Sequence, residues 1–472
     1  MGWMSGVNWQ EEVLKRKEHL LDDLRGLLKI ESVLDENNAT DEAPFGTGVR
    51  EALDYMLALG ERDGYRTKDV EHVSGHLEFG QGKELIGILC HVDVVPAGNG
   101  WTTPAFEPDL RDGKLFARGA IDDKGPTIAS YWAMNIVKEL YPSLSKRVRM
   151  IVGTDEESSW RCVDTYFKHE EMPAMGFAPD AVFPIIHAEK GIADFEWNFP
   201  VIEGEDKGII LSSFHSGQRL NMVPDYAKAV CKGHQNTLAD MKKSFEQFLG
   251  QHDLEGQASI ENELTLEVHG VSVHGSVPEK GINAAFRLAQ FFENQELDQN
   301  GKTYIGFITK WLVDDFRGER LDVSFEDEIT GPLTMNAGTF SYRNGEGGQI
   351  GINLRYPVTC QFEDVQKSFE KVTNPLAVTM NVIDHMTPHH VPKDHQLIQK
   401  LQHVYEKQTN DRAELLSIGG GTYARSLEAG VAFGALFKGK PQLAHQKDEY
   451  VEMDDLLKAA AIYAEAIYEL AK

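Results

Sequence analysis

His91 and Asp93 stand two residues apart at the end of an apolar run, Leu85-Ile86-Gly87-Ile88-Leu89. The run reads as a buried strand. Residues i and i+2 of a strand share a face, so the imidazole and the carboxylate leave the strand end together. That pairing suits a histidine metal ligand with an acid to orient it. It equally describes a strand-end histidine beside a turn aspartate, so the pair alone decides nothing. Further acids follow at similar places. Asp122 lies in Arg118-Gly119-Ala120-Ile121-Asp122-Asp123-Lys124-Gly125-Pro126, Glu156 and Glu157 in Thr154-Asp155-Glu156-Glu157, and Asp180 after Pro179. His445 comes late. Two histidines with several carboxylates and no cysteine pattern fit a pair of Zn²⁺, Mn²⁺ or Co²⁺ ions. One carboxylate can bridge two such ions about 3.5–4 Å apart. Without cations, so many acids at one sheet edge would repel each other severely. Glu156 and Glu157 point apart as neighbours, which allows one to bind metal and the other to move a proton. Acids 155–157 also fit the first turn of a helix.

These side chains need rigid supports. Val148 to Gly153 reads as a strand delivering residues 154–159 at its C-terminal end, and Pro126 as the start of a helix to about Leu140. Trp9 to Ile30 predicts one amphipathic helix, and Val49 to Arg62 a second. Val73 to Leu85 predicts a hairpin turning at Gly80-Gln81-Gly82, and Leu110 to Arg118 another at Asp112-Gly113. Strands alternating with helices, with polar strand ends, predict an α/β sheet with its site at the strand C-termini. From about Ala188 the texture changes. Ile192 to Phe199, Ala227 to Cys231, Leu264 to His269 and Ile350 to Tyr356 alternate like half-buried antiparallel strands. Helices over Thr237–Leu249 and Asn283–Asn294 complete an α+β insert. The α/β texture returns near Pro388, with helices over His395–Gln408 and Met453–Leu470. The expected organisation is a first segment over 1–187, an insert over 188–389 and a second segment over 390–472.

The chain has 472 residues, too many for one ordinary core. Its 74 acidic against 47 basic residues give a net charge of −27, which argues against nucleic acid and anionic membranes as partners. Cys90, Cys162, Cys231 and Cys360 are scattered, which fits a reducing cytoplasm. No apolar run reaches membrane-spanning length, and the N-terminus lacks a signal-peptide core.

The strings HVDVVPAG, RGAIDDKGP, GTDEES and PDAVFP, with the late histidine of QLAHQKDE, resemble the M20 metallopeptidase family, nearest to its bacterial PepV-type dipeptidases. The resemblance spans nearly the whole chain. It implies a di-metal peptidase domain, a mixed sheet flanked by helices, with an inserted α+β lid. It implies that His91 and Asp180 bind one metal, Glu157 and His445 the other, and that Asp122 bridges them. Asp93 would orient His91. Glu156 would be the general acid/base acting on a water between two divalent ions, Zn²⁺ foremost. In the insert, Val271 to Pro278 resembles the lid segment whose histidine, here His274, stabilises the oxyanion. Asn221 and Arg355 match lid positions that hold the substrate's terminal carboxylate. Gly420 lies in a glycine-rich loop matching one that lines the substrate pocket. No Gly-Lys-Ser/Thr follows those glycines, which weighs against a phosphate loop. The insert is long enough to supply His274 within one chain, so a monomer acting on dipeptides is expected. The same chemistry also fits an N-acyl amino acid deacylase, such as a succinyl-diaminopimelate desuccinylase. A catalytically inactive metal-binding relative would keep the ligands without Glu156.

Overall fold

The computed structural model describes residues 6–203 and 208–472. It divides into two compact units. The first comprises Met1–Ala188, His390–Ser417 and Gly421–Lys472, the second Glu189–His389 with Ile418–Gly420.

The first unit is α/β, a mixed sheet flanked by helices. Its strands run in the order Arg66–Val70, Ser74–Phe79, Arg147–Gly153, Leu85–His91, Met175–Ala178 and Gly430–Ala432, and the sheet continues beyond. The Arg147, Leu85, Met175 and Gly430 strands are mutually parallel. Leu85–His91 is buried along its whole length, as expected for a strand covered on both faces. Helix Lys124–Leu140 packs on the closing helix Met453–Ala471. The closing helix buries Ala459, Ala460, Ala461, Ala464 and Ala466, small residues that let the two helices approach closely.

Two sequence expectations fail here. Val73 to Leu85 is not a hairpin. Ser74–Phe79 pairs with Arg66–Val70 and with Arg147–Gly153, so the latter lies between the two supposed hairpin arms. The glycine-bearing segment instead crosses over the backbone of residues 145–147. A Cβ on Gly82 would sit 1.9 Å from the Ser145 carbonyl oxygen, so the crossing needs glycine there. The N-terminal helix is also two helices, Trp9–Leu14 and Lys17–Leu28. Between them Arg16 leaves helical dihedrals, and its guanidinium turns back to the Glu12 carbonyl oxygen at 2.8 Å and the Glu12 carboxylate at 2.9 Å. The hairpin at Asp112-Gly113 is present, as Asp109–Arg111 and Lys114–Phe116.

The second unit is α+β. Eight antiparallel strands run Gly256–Ile260, Leu264–His269, Tyr226–Lys232, Ile210–Ser216, Thr334–Arg343, Gly347–Tyr356, Gly191–Phe199 and Thr379–Met386. Along Gly191–Phe199 burial alternates at every residue, the period of a strand with one face in a core. That face carries Ala193, Phe195 and Trp197; Phe195 meets helix residue Phe369, and Trp197 meets Phe307 and Phe369. Among the described residues no helix is long and apolar enough to cross a membrane.

Candidate functional site

Three parallel strands end side by side in the first unit. Leu85–His91 lies between Arg147–Gly153 and Met175–Ala178, and its last residue, His91, pairs with Gly153. Glu156 and Glu157 follow the Gly153 end, and Asp180 follows the Ala178 end. Asp122 precedes helix Lys124–Leu140, and His445 precedes the strand Tyr450–Glu452. Parallel strands and helix starts therefore aim all of these at one place. His445 has φ 65°, in the left-handed region.

The side chains form two sets that share Asp122. His91, Asp122 and Asp180 each offer a ligand atom within 4.8 Å of the others, and so do Asp122, Glu157 and His445. His91 Nε2 is 3.2 Å from Asp122 Oδ1 and 3.6 Å from Asp180 Oδ2. His445 Nε2 is 3.1 Å from Asp122 Oδ2 and 2.9 Å from Glu157 Oε2. The two oxygens of one carboxylate thus face different histidines. Glu156 belongs to neither set.

Asp93 serves both sets. Its carbonyl oxygen is 3.1 Å from His91 Nδ1 and its Oδ1 is 3.4 Å from that nitrogen, while Oδ2 accepts the Glu157 amide at 3.0 Å. With Nδ1 facing oxygen, Nε2 is the nitrogen left to face Asp122 and Asp180. The loop beyond is clamped by Asp155. Its carboxylate accepts from the Arg161 amide at 3.0 Å, from the Arg161 guanidinium at 2.8 and 3.0 Å, and from the Ser158 hydroxyl. Trp160 Nε1 donates to the Glu156 carbonyl oxygen at 2.7 Å. Tyr423 meets the His91 ring edge-on at 6.0 Å. A Cβ on Gly153 would lie 1.8 Å from the Tyr423 hydroxyl oxygen, so only glycine fits beneath it. Asp123 accepts the His91 amide at 3.2 Å and the Thr127 hydroxyl at 3.0 Å.

Burial raises the pKa of Glu156 far above the carboxylate range, and raises Asp180 and Glu157 as well. Asp122 goes the other way. Burial alone would raise it, but hydrogen bonds from His445 and His91 hold it well below the usual range. His91 is pulled down by burial but driven well above its ordinary value by Asp122, Asp180 and Asp93. Hydrogen bonds to Asp122 and Glu157 push His445 to about 10. Such a cluster asks for positive charge. Glu157 Oε1 is buried without a hydrogen-bond partner, which costs about 1–3 kcal/mol if nothing answers it. Imidazole and carboxylate donors in two sets sharing an acid fit two divalent cations.

The second unit gathers the remaining predicted residues. Met222 bridges His274 across an antiparallel step, and the Asn221 carbonyl oxygen accepts the Gly275 amide at 2.7 Å. The buried Asn336 side chain clamps that segment, donating to the Leu220 and Met222 carbonyl oxygens at 2.7 and 3.0 Å. His274 Nδ1 lies 2.7 Å from the Ser276 hydroxyl and accepts the Ser276 amide at 3.3 Å. An amide can only donate, so Nδ1 is the acceptor, and a neutral His274 carries its proton on Nε2. Arg355 is buried, with Nε donating to Asn353 Oδ1 at 3.0 Å and Nη1 to the Gly419 carbonyl oxygen at 2.5 Å. A Cβ on Gly419 would be 3.9 Å from both Arg355 Cδ and Ser276 Cβ, and one on Gly420 3.9 Å from Arg355 Nη1. His274, Arg355 and Gly420 therefore share one locus. Burial and the Arg355 charge both lower the His274 pKa, which favours the neutral ring.

Sequence reasoning passed over Asp155, Tyr423, Asn336 and Ser276, and also Arg118 and Glu449. The last two stand inside the strings RGAIDDKGP and QLAHQKDE, so a signal was present.

A model of peptidase family M20/M25/M40 matches residues 87–469. A relative from Bacillus subtilis, named "Putative dipeptidase YtjP", is 52% identical over 469 residues, 99% of this chain and 100% of that one. Among solved structures, aminopeptidase PepT from Bacillus cereus superposes with a TM-score of 0.58 at 15% identity, covering 97% of this chain and 99% of its own. Human carnosine dipeptidase 1 superposes with a TM-score of 0.55 at 14% identity, covering 98% of each chain. At such identities these two likenesses concern the fold. The family match and the full-length relative settle membership: the chain belongs to peptidase family M20/M25/M40, and is a hydrolase of the metallopeptidase kind.

Proposed function

We propose that the protein is a metal-dependent dipeptidase that hydrolyses unblocked dipeptides. The observation that carries this reading is the pair of ligand sets joined at Asp122, in a chain alike over 99% of its length to the relative named "Putative dipeptidase YtjP". His91 and Asp180 would hold one cation and Glu157 and His445 the other, with Asp122 shared. When bound, two divalent ions, Zn²⁺ first and Mn²⁺ or Co²⁺ as alternatives, polarise a carbonyl and acidify water.

The rest is done by side chains. Glu156 takes a proton from the attacking water and returns it to the leaving amine. A carboxylate that belongs to neither ligand set is free to carry a proton between the two steps. Asp93 keeps the His91 ring in orientation. His274 donates its Nε2 proton to the oxyanion formed at the scissile carbonyl. Arg355 takes the terminal carboxylate with its guanidinium, Asn221 adds an amide, and Gly420 lets the backbone approach closely. A site that reads the terminal carboxylate at a fixed distance admits only short peptides. All four cysteines are buried and free, which suits a reducing compartment, and we assign the enzyme to the cytoplasm. His274 serves its own chain, so a monomer suffices.

The test is a panel of unblocked dipeptides, N-acetylated dipeptides, tripeptides and succinyl-diaminopimelate, run after metal stripping and repletion. Unblocked dipeptides should be cleaved best, and only with metal restored. Preference for the acylated substrates would make the protein a deacylase. No turnover with two metals bound would make it an inactive relative.

A further inference from the structure

Arg118 and Glu449 belong to the motif strings yet have no part in the chemistry above. Both are buried, Arg118 to 1% exposure and Glu449 to 0%. Every oxygen of Glu449 is answered. Oε1 accepts the amides of Ile121 at 3.0 Å and Asp122 at 3.3 Å, and Oε2 accepts Arg118 Nη1 at 2.5 Å. Arg118 also donates to the carbonyl oxygens of Gln446 at 3.3 Å and of Pro96 and Ala97 at 3.4 Å. Its guanidinium stands 5.3 Å from the Trp101 ring. Three loops thus meet at one ion pair: the one after His91, the one presenting Asp122, and the one carrying His445.

We propose that Glu449, held by Arg118, is a positioning residue for the two-cation site. It fixes the shared carboxylate Asp122 through its own amide and ties it to the loop of His445 four residues upstream. The inference rests on the dinuclear reading above. A buried ion pair is a poor device for stability alone, because well-packed apolar residues often do as well or better. This one does something apolar residues cannot, since a carboxylate oxygen can hold two successive amides and so set the peptide from which Asp122 projects. Partners of this kind orient ligands, and their loss typically weakens metal binding.

The experiment measures Zn²⁺ and Mn²⁺ affinity of the full chain by competition with a chelator, alongside thermal unfolding of the metal-free protein. Glu449→Gln keeps the shape but turns an amide toward Arg118. Affinity should fall by about 10- to 100-fold. The control is Glu78→Gln. Glu78 pairs with Arg149 at 2.6 Å, each side chain 6% exposed, and lies toward the opposite strand end from Gly153. It should lower the unfolding temperature without changing metal affinity. Wild-type affinity in Glu449→Gln, with unfolding shifted as in the control, would overturn the proposal. Fewer than two cations on the wild type would instead defeat the dinuclear reading, and that shows before any variant is compared. If Glu449→Gln does not fold, Arg118→Lys replaces it, keeping the charge and losing the fork, with the same loss of affinity expected. Failure of both to fold also overturns the proposal, since the pair would then hold the whole unit together.

Discussion

The two functional loci are unbalanced in opposite senses. In the first unit, Asp93, Asp122, Asp123, Glu156, Glu157 and Asp180 surround two histidines, and burial raises most of these acids. In the second, Arg355 is buried on neutral acceptors, Asn353 Oδ1 and the Gly419 carbonyl oxygen. Asp194 reaches it only through Asn353, whose Nδ2 donates to Asp194 at 2.6 Å. On the proposed reading one locus takes cations and the other an anion. A buried charge is costly unless something answers it, so each imbalance is a record of what the locus is built to receive. The comparison also separates the consequences of mutation. Changes in the first unit should disturb metal and proton transfer, and changes in the second should leave the metals in place.

Among the largest effects is that of Glu156→Gln. It removes a proton carrier and no ligand, so turnover should fall by roughly 100- to 10,000-fold with metal content nearly intact. Asp122→Ala should abolish activity and lose metal together. Elemental analysis separates them, and loss of both metals in Glu156→Gln would end the distinction drawn between the two glutamates.

The next effect belongs to the second unit. His274→Ala should lower kcat by roughly 100- to 1,000-fold, the usual loss for one oxyanion donor, with both metals retained. On the proposed reading each chain supplies both groups, so mixing inactive Glu156→Gln with inactive His274→Ala should restore nothing. Recovered activity in the mixture would mean that His274 is donated across a dimer.

How much of this was legible in the sequence follows the range of each interaction. His91 at the end of an apolar strand and Asp122 before a helix beginning near Pro126 are local patterns, and the parallel strands do end where the motifs stand. The false hairpin at Val73 to Leu85 failed because Arg147–Gly153, some seventy residues on, pairs between its arms. Nothing local marks such an insertion. Arg118 and Glu449 are 331 positions apart and read as ordinary loop charges. The role of Ser276 depends on which nitrogen of a histidine it faces, and spacing carries no such information.

Arg355→Ala tests the anion locus directly. A charge-assisted hydrogen bond contributes about 1.5–3 kcal/mol, so kcat/KM for a dipeptide should drop roughly tenfold to a hundredfold. A dipeptide amide, which lacks the charge, should be nearly unaffected. Lysine should rescue only partly, as it keeps the charge but loses the fork. Equal losses on the dipeptide and its amide would show that Arg355 supports the second unit and does not read a carboxylate.

The smallest effect should come from Ser276→Ala. The Ser276 hydroxyl and amide both face His274 Nδ1, and only the hydroxyl is lost on substitution. One neutral hydrogen bond contributes about 1 kcal/mol, so kcat should fall about fivefold while KM and metal content stay put. The amide still donates to Nδ1, so the tautomer should survive. Nitrogen NMR of His274 should therefore show an unprotonated Nδ1 and a protonated Nε2 in wild type and variant alike. Burial and the Arg355 charge both depress the pKa of this ring, so it should titrate below 6.5. Arg355→Ala removes one of the two causes and leaves burial, so it should move the titration upward. A proton found on Nδ1 would turn the wrong nitrogen outward, and His274 could then donate nothing to an oxyanion through Nε2.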